Sequence, residues 1–200
     1  MRYILVLSIL FFQGPLRAQQ GSWKADLNYQ LGLPLGDFKN VVEDVSPRGA
    51  SIGISYGFTD AVSAGLEIGF QDFYQKYPRQ VLHEPGSDIS AVVTNSIQII
   101  PILLKGKYRL KDEGMVQPFV GLGIGGNLVQ YQKYYGQFTD SRSKFSFAAR
   151  PEVGLHIPVG RAKTAGIHAL AGYNFMPYED RDLNGIHHAV FKLGASFPLR

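Results

Sequence analysis

Apolar and polar residues alternate along much of this 200-residue chain. In residues 23–33 the odd positions are Trp, Ala, Leu, Tyr, Leu and Leu, whereas the even positions are Lys, Asp, Asn, Gln and Gly. Residues 188–197 repeat the pattern, with Ala, Phe, Leu, Ala and Phe on one face. A period of two indicates a β-strand whose faces meet different surroundings. The chain is therefore predicted to begin and end with such strands.

Six further segments between these two carry related patterns and are also predicted to be strands: residues 50–58, 62–71, 92–110, 116–131, 145–157 and 165–175. The fourth strand, residues 92–110, is less regular. Ile97 and Ile99 share one parity, whereas Ile102 and Leu104 share the other. We expect a β-bulge near Pro101 to shift the phase, because proline is tolerated at bulges.

The predicted connections alternate between long and short. Residues 34–48, 76–90, 133–143 and 177–187 form the long ones, and tight turns join the other strands. Transmembrane barrels show this alternation, because one set of hairpins projects outside and the other faces the periplasm. Strands can cross hydrocarbon only as a closed ring. The prediction is an all-β fold, a single eight-stranded antiparallel up-and-down transmembrane β-barrel, with both termini in the periplasm.

Residues 1–18 resemble a cleavable signal peptide, and residues 19–200 are predicted to form the barrel domain. The leader has a basic start, a short apolar run and a small-residue cleavage site at Ala18. Its removal takes away two arginines and leaves 18 basic and 16 acidic residues, a net charge of +2. No run of Lys or Arg indicates nucleic-acid binding. Without cysteine, the fold must depend on packing and backbone pairing.

Charged and histidine side chains recur on the polar faces of the predicted strands. An eight-stranded barrel is just wide enough for its interior side chains to fill it. We expect these residues to pair as a polar plug, since an unpaired buried charge costs several kcal/mol. The alternative is a gated pore in which Arg150 and Glu152 exchange partners. The predicted lumen network is Lys24, Asp26, Glu67, Arg150, Glu152, His156, His168 and Lys192.

Aromatic residues mark several predicted strand ends, as in the interfacial girdles of membrane barrels. These residues are Trp23, Tyr56, Phe58, Tyr173, Phe175 and Phe197. The third long connection is also rich in tyrosine, a composition that suits recognition surfaces or an outer girdle. The candidate recognition residues there are Tyr131, Lys133, Tyr134, Tyr135 and Phe138.

Two stretches carry a resemblance to a known family. Residues 99–108, Ile-Ile-Pro-Ile-Leu-Leu-Lys-Gly-Lys-Tyr, and residues 117–123, Gln-Pro-Phe-Val-Gly-Leu-Gly, resemble small outer-membrane β-barrel proteins of the OmpA-barrel and OmpX type, in the form common in Bacteroidetes. The resemblance implies a bacterial outer-membrane location, contact with membrane lipid and lipopolysaccharide, and insertion by the barrel-assembly machinery. It also implies a monomer without cofactors or catalysis, with a structural role or an extracellular ligand bound by its loops.

Two rival functions remain open from the residues alone. A lipid A-modifying enzyme needs a serine, a histidine and an acid near the membrane surface, and the second long connection contains His83, Glu84, Ser87, Asp88 and Ser90. A soluble lipocalin-like carrier of an apolar ligand is suggested by the opening residues 21–23, Gly-Ser-Trp. Its outward apolar faces would, however, be insoluble in water.

The pair His187-His188 raises the possibility of a metal site. Adjacent residues of a strand point to opposite faces, so they make a poor chelating pair. We therefore predict no metal site.

Overall fold

A computed structural model describes residues 21–84, 87–111, 114–135, 138–160, 164–180 and 183–199. Side chains are described for these residues except 79–93, 133, 135, 138–140, 179–180 and 183–184. The elements in chain order are β1 (Ser22–Pro34), a 3-10 helix (Gly36–Asn40), β2 (Ser46–Gly57), β3 (Val62–Glu84), β4 (Ser87–Arg109), β5 (Gln117–Tyr135), β6 (Phe138–Val159), β7 (Ala165–Asn174), β8 (Glu179–Asp180), β9 (Leu183–Asn184) and β10 (His188–Leu199). Within this described part, no helix has the length and apolar character needed to cross a membrane.

Eight of these strands form a closed antiparallel barrel in the order β1-β10-β7-β6-β5-β4-β3-β2. Strands that follow one another in the chain are neighbours in the barrel, and β10 closes the ring by pairing with β1 from Trp23↔Leu199 to Pro34↔His188. The short strands β8 and β9 form a separate hairpin in the last connection. The prediction of an eight-stranded up-and-down barrel is confirmed.

The outward face of the barrel is an apolar band. Leu66, Leu104 and Leu193 come from three different strands, and each is 60–62% exposed. A soluble protein rarely exposes so much contiguous apolar surface. The band is what a barrel surrounded by lipid requires.

Aromatic side chains cluster at both ends of this band. At the end that holds the termini, the ring centroid of Tyr56 lies 5.1 Å from those of both Trp23 and Phe58. At the opposite end, the His187 ring stacks on Phe175 at 4.9 Å and on Tyr173 at 6.1 Å. These positions fit rings at the two membrane–water boundaries.

The predicted β-bulge near Pro101 is wrong. β4 pairs with β5 without a shift from Val93↔Tyr135 to Arg109↔Phe119, and Pro101 lies opposite Asn127 within that run. On the other side of β4, the register shift lies much higher, between Lys76 and Arg79 of β3. The strand keeps one phase throughout.

The irregular pattern of β4 has a different cause. Ile97, Ile99 and Leu103 point inward and are fully buried, whereas Ile102 and Leu104 point outward and are exposed. β4 therefore carries apolar side chains on both faces: the outward ones lie nearer its C-terminal end, and the inward ones extend from Leu103 toward its N-terminal end.

The predicted long loops at residues 76–90 and 133–143 are also largely wrong. β3 continues to Glu84 and β5 continues to Tyr135. By contrast, β2 pairs with β3 only as far as Gln71, and β7 pairs with β6 only as far as Glu152, apart from one isolated bridge. The upper parts of β3, β4, β5 and β6 thus form a four-stranded sheet that extends beyond the rest of the barrel, here called the protruding sheet. The polar residues at these positions face solvent on one side of the sheet and do not mark the ends of the strands.

The inner face of the protruding sheet packs on the first and last connections. The Phe38 ring of the 3-10 helix lies 4.9 Å from Phe73 of β3, in an edge-to-face arrangement. Met176 and Ile186 of the last connection are fully buried in the same cluster. The cluster, here called the apolar cap, consists of Phe38, Val42, Phe73, Ile97, Ile99, Leu103, Val129, Tyr131, Ala148, Met176, Tyr178 and Ile186.

Backbone hydrogen bonds hold both connections in place. The Ile186 amide donates to the Met176 carbonyl at 3.1 Å, which closes the last connection on itself. The Leu35 amide donates to the His187 carbonyl at 2.9 Å, which ties the first connection to the last. The apolar cap is therefore a packed core over the end of the barrel that is remote from the termini.

Leu104→Lys is expected to lower the free energy of unfolding by about 2–4 kcal/mol, the cost of a lysine near the membrane midplane. The control is Leu110→Lys, because Leu110 is similarly exposed at 58% but follows the end of β4. Urea unfolding in lipid vesicles, followed by the fluorescence of Trp23, measures both. Equal losses in the two variants would contradict immersion of the apolar band in lipid.

Candidate functional site: the lumen of the barrel

Five charged side chains from four strands meet in the middle of the lumen: Glu67 of β3, Lys105 of β4, Arg150 and Glu152 of β6, and Lys192 of β10. Arg150 donates to both carboxylates, through Nη2 to Glu67 and through Nε to Glu152 Oε1 at 2.8 Å. The Lys105 Nζ lies 3.0 Å from Glu67 Oε2 and 2.6 Å from Glu152 Oε2. The Lys192 Nζ donates to Glu67 Oε1 at 2.5 Å. We call this set the ion-pair cluster.

Four of the five side chains of the ion-pair cluster are almost completely removed from solvent, and Lys105 is 15% exposed. Arg150 is 1% exposed, and Glu67, Glu152 and Lys192 are each 3% exposed. Removing charges from water is costly unless each is paired and hydrogen-bonded. Here each carboxylate contacts more than one cation, so the arrangement satisfies that condition.

Glycines on the facing strands give these long side chains room. A Cβ atom on Gly172 of β7 would lie 3.2 Å from the Glu152 side chain and 3.4 Å from that of Arg150. A Cβ on Gly121 of β5 would lie 3.6 Å from the Glu152 carboxylate. The glycine-rich run of β5 therefore lies beside the charged interior, where the strand presents backbone instead of side chains.

Lys105 belongs to the ion-pair cluster but was missed by the sequence analysis. The assumed bulge at Pro101 left the phase of β4 undefined. An unbroken phase places Lys105 on the same inward face as Leu103, which is buried. Strict alternation along β4, counted through Pro101 without a break, predicts the inward position of Lys105.

The two predicted lumen histidines lie next to the ion-pair cluster. The His168 Nε2 is 2.5 Å from Asn28 Oδ1, and the Asn28 amide donates to Ser51 Oγ at 3.2 Å. Lys192 also donates to Ser51 Oγ, at 3.3 Å, so this chain connects to the cluster. The His156 ring stacks on His168 with centroids 6.4 Å apart.

Lys24 and Asp26, the other two predicted network residues, lie closer to the end of the barrel that holds the termini. Both line a cavity there, together with Lys107 and Arg109. Neither has an ion-pair partner within 4.0 Å among the described residues. The structure thus brings four of the eight predicted residues into one cluster, places two beside it and leaves two apart.

A neutral polar layer lies between the ion-pair cluster and most of the apolar cap, and Leu103 of the cap reaches the height of the cluster. Gln30 donates through Nε2 to the Phe70 carbonyl at 3.0 Å, and Gln71 donates to Ser46 Oγ at 2.8 Å. The Asn174 Nδ2 lies 3.2 Å from His188 Nε2. The lumen therefore changes from charged to neutral polar to apolar along its axis, with buried side chains in every layer.

The candidate recognition residues do not form a loop. Tyr131 lies in β5, is 4% exposed, and donates through its hydroxyl to Asn95 Oδ1 at 3.4 Å. It belongs to the apolar cap, so its predicted place on a loop surface is wrong; it sits on the inner face of the protruding sheet. Tyr134 is on the outer face, is 37% exposed, and donates to Gln132 Oε1 at 2.5 Å. The side chains of the remaining candidates lie outside the described residues: Lys133, Tyr135 and Phe138.

The candidate catalytic residues lie in the upper part of the β3–β4 hairpin: His83, Glu84, Ser87, Asp88 and Ser90. Their backbones pair at His83↔Asp88 and Glu84↔Ser87. Their side chains, and that of Ser90, lie outside the described residues.

His187 and His188 point to opposite faces of the barrel wall. His187 stacks on the outer aromatic rings and accepts a hydrogen bond at Nδ1 from the Met176 amide at 3.1 Å. His188 is buried in the lumen, with Nδ1 at 3.2 Å from the Ile186 carbonyl. Among the described side chains, no three His, Asp or Glu residues are grouped as metal ligands.

The comparison with protein families decides the membership of this closed barrel. Residues 3–197 match the family described as outer membrane protein beta-barrel domain. The chain belongs to this family. It is therefore an integral β-barrel protein of the bacterial outer membrane, and the soluble lipocalin-like alternative no longer applies.

Solved structures of similar fold come from the same membrane. Ail of Yersinia pestis, crystallised with the heparin analogue sucrose octasulfate, has a TM-score of 0.54 at 15% identity, over 90% of this chain and 99% of Ail. Neisserial surface protein A has a TM-score of 0.54 at 13% identity, over 88% and 95% of the two chains. Outer membrane protein W of E. coli has a TM-score of 0.51 at 14% identity, over 92% and 100%. No curated protein sequence matches the chain.

Arg150→Met is expected to lower the free energy of unfolding by about 3 kcal/mol or more, because it removes the cation that contacts both buried carboxylates. Urea unfolding in detergent micelles, monitored by heat-modifiable gel mobility, measures the loss. The control is Lys24→Met, which deletes the same charge in the same lumen from a side chain without an ion-pair partner among the described residues. A loss at Arg150 no larger than that at Lys24 would contradict a stabilising role for the ion-pair cluster.

Proposed function

We propose that this protein is a closed, non-catalytic membrane anchor that holds the protruding sheet at the cell surface, where the sheet binds a protein partner. The observation that supports this most directly is the continuation of four strands beyond the rest of the barrel. β3 pairs with β4 as far as Glu84↔Ser87, and β5 pairs with β6 as far as Tyr135↔Phe138. Because the short turns and the termini share the other end, the protruding sheet faces the outside in the usual orientation of these barrels.

The edges of the protruding sheet favour a protein partner. On the β7 side of β6, pairing ends at the bridge Ala149↔Phe175, and residues 138–148 have no strand neighbour there within the described chain. On the β2 side of β3, pairing ends at Gln71. A strand edge that lacks a neighbouring strand presents backbone donors and acceptors to which another chain can add as a strand.

The outer face of the protruding sheet has a composition suited to recognition. Tyr74 and Tyr134 are exposed on it, and the guanidinium of Arg48 lies 5.1 Å from the centre of the Tyr74 ring. Around them the outer face carries polar side chains such as Gln98, Gln130 and Gln132. Tyrosine supplies large contact area at low cost in conformational entropy, and amide side chains supply adaptable hydrogen bonds.

The filled lumen supports an anchoring role over a transport role. A solute would have to pass the ion-pair cluster, the neutral polar layer and the apolar cap in turn. Nearly all side chains of the ion-pair cluster and of the apolar cap are buried. They come from the barrel wall and from the first and last connections. We infer that the barrel conducts no ions in its resting state and works as a monomer in a lipid and lipopolysaccharide environment.

The heparin analogue bound by Ail gives little support for a similar ligand of this chain. Described cations near the outer end, such as Lys39 and Arg48, are interspersed with Asp37, Asp44 and Asp72. Arg48 is itself paired with Asp72 at 3.3 Å. A highly sulfated ligand requires a positive surface, so a protein partner is the better proposal.

Shortening the β5–β6 hairpin tests the surface role. Residues 133–140 are replaced by Asn-Gly, which joins the paired residues Gln132 and Ser141 by a tight turn. The full-length and shortened proteins, purified in detergent, are compared by biolayer interferometry against a panel of immobilised extracellular proteins.

The expected result is saturable binding of at least one panel protein that is lost on shortening and kept in the control Lys39→Ala, since Lys39 is exposed on the first connection. Binding that survives in the shortened protein would place recognition elsewhere. Absence of binding by the full-length protein across a broad panel would argue for a purely structural barrel.

Planar-bilayer recording tests the closed lumen. The wild-type protein is expected to show no steady single-channel conductance, because charged, polar and apolar layers each exclude a continuous water path. Protein-free detergent serves as the blank. Regular openings of wild-type barrels would overturn the anchoring proposal in favour of a pore.

A further inference from the structure

We propose that the periplasmic mouth of the lumen is a binding site for a phosphate-class oxyanion. The mouth contains a cavity of about 50 Å³. Three cationic side chains line it, Lys24 from β1 and Lys107 and Arg109 from β4, together with the polar side chains of Ser22, Ser55 and His156. This end of the barrel lies opposite the protruding sheet, so the inference is independent of the proposed surface role.

Within the described part of the chain, the cations of the mouth differ from those of the ion-pair cluster in having no carboxylate within ion-pair distance. None of Lys24, Lys107 and Arg109 has a carboxylate oxygen within 4.0 Å among the described residues. The Lys107 Nζ instead lies 4.9 Å from the centre of the Phe119 ring. By contrast, Lys105, two residues earlier on the same face of β4, contacts two carboxylates.

The acids of the mouth do not balance its charge. Asp26 and Asp60 also line the cavity, so its described lining residues include three cations and two acids. The ion-pair cluster above contributes a further excess, with three cations against two carboxylates. An excess of positive charge in a cleft walled by low-dielectric material attracts counter-ions.

The cations also face each other across the lumen. β1 and β4 are separated in the barrel by β2 and β3, so Lys24 approaches the cavity from a different wall than Lys107 and Arg109. Lys24 experiences the positive charges of Arg109 and Lys107, opposed by that of Asp26. Like charges held this way repel, and an anion between them relieves the repulsion.

The donors present select the class of anion. An arginine offers a planar fork of N–H groups, and each lysine offers a compact ammonium. Such groups arranged around one space bind a tetrahedral oxyanion with several acceptor oxygens, as in charge-assisted phosphate contacts. The source is either free phosphate in the periplasm or the phosphate of an inner-leaflet lipid headgroup, because the mouth lies at the level of those headgroups.

Titration of the full-length barrel with inorganic phosphate tests the site. The protein is folded in octyl glucoside, a detergent without phosphate, and binding is measured by isothermal titration calorimetry at constant ionic strength set with chloride. Wild type is compared with Lys107→Met, which keeps an unbranched side chain against Phe119 and breaks no ion pair of the described residues. Lys39→Met, an exposed lysine of the 3-10 helix, is the matched control.

The wild-type protein and Lys39→Met are expected to bind phosphate saturably with equal affinity, and Lys107→Met to bind about tenfold more weakly or worse, the loss typical of one charge-assisted contact. Arg109→Gln should show a similar loss and serves if Lys107→Met fails to fold. Absence of saturable binding by wild type, or equal affinity in all variants, would overturn the proposal.

A second arm identifies the source of the anion. The titration is repeated in nanodiscs that contain phosphatidylglycerol. Weaker phosphate binding in nanodiscs than in detergent assigns the site to a lipid headgroup that competes for it. Unchanged binding assigns it to a free anion. Either result supports the site only if Lys107→Met weakens phosphate binding in the detergent arm.

Discussion

Hydrocarbon offers no hydrogen-bond partner to a peptide group, so each strand of this chain needs a neighbour on both sides for as long as it crosses the membrane. The pairing of β1 with β10 satisfies this for the two ends of the chain, along the whole of β1 from Trp23 to Pro34. Once the ring is closed, its interior is narrow, and every inward side chain must fit beside seven other strands. The glycines beside Arg150 and Glu152, the buried ion pairs and the tight turns all follow from that closure.

Above the membrane, water can hydrogen-bond to peptide groups that lack a strand neighbour. There the apolar side chains lie on the inward face of the sheet and the polar side chains on the outward face. In the lipid-facing part of β4, Leu104 points outward and Lys105 inward, whereas higher up Ile97 points inward and Gln98 outward. Lipid favours apolar side chains outside, while water favours them inside, and one continuous strand meets both solvents. The apolar cap is the consequence, because the inward face of the protruding sheet then needs apolar partners, which the first and last connections provide.

This exchange of apolar and polar faces explains which parts of the molecule could be predicted from the sequence. The strands that lie wholly within the membrane, such as β1 and β10, keep one pattern from end to end and were predicted correctly. β4 crosses the boundary between the two solvents, and a local bulge was inferred where the environment changes instead. The sequence predicts loops where β3 and β5 continue, because polar residues on the outer face of a solvent-exposed sheet resemble those of a loop. The inward charges of Glu67, Arg150, Glu152 and Lys192 followed from alternation, but their mutual contacts depend on register between distant strands, which a period of two does not contain.

The row Lys105, Lys107 and Arg109 on β4 shows how register decides the chemistry of a charge. All three side chains share one inward face, and alternation alone makes them equivalent. At the height of Lys105 the neighbouring walls supply Glu67 and Glu152, so the ammonium group is neutralised within the fold. At the height of Lys107 and Arg109 the walls supply hydroxyl groups such as Ser55 and Ser63, and the carboxylates of Asp26 and Asp60, which line the same cavity, form no ion pair within 4.0 Å with these cations among the described residues. Stability requires the first arrangement, since a buried cation without a carboxylate is costly. The second arrangement is tolerated because its cavity opens to solvent, and it leaves positive charge available at the periplasmic face of the barrel.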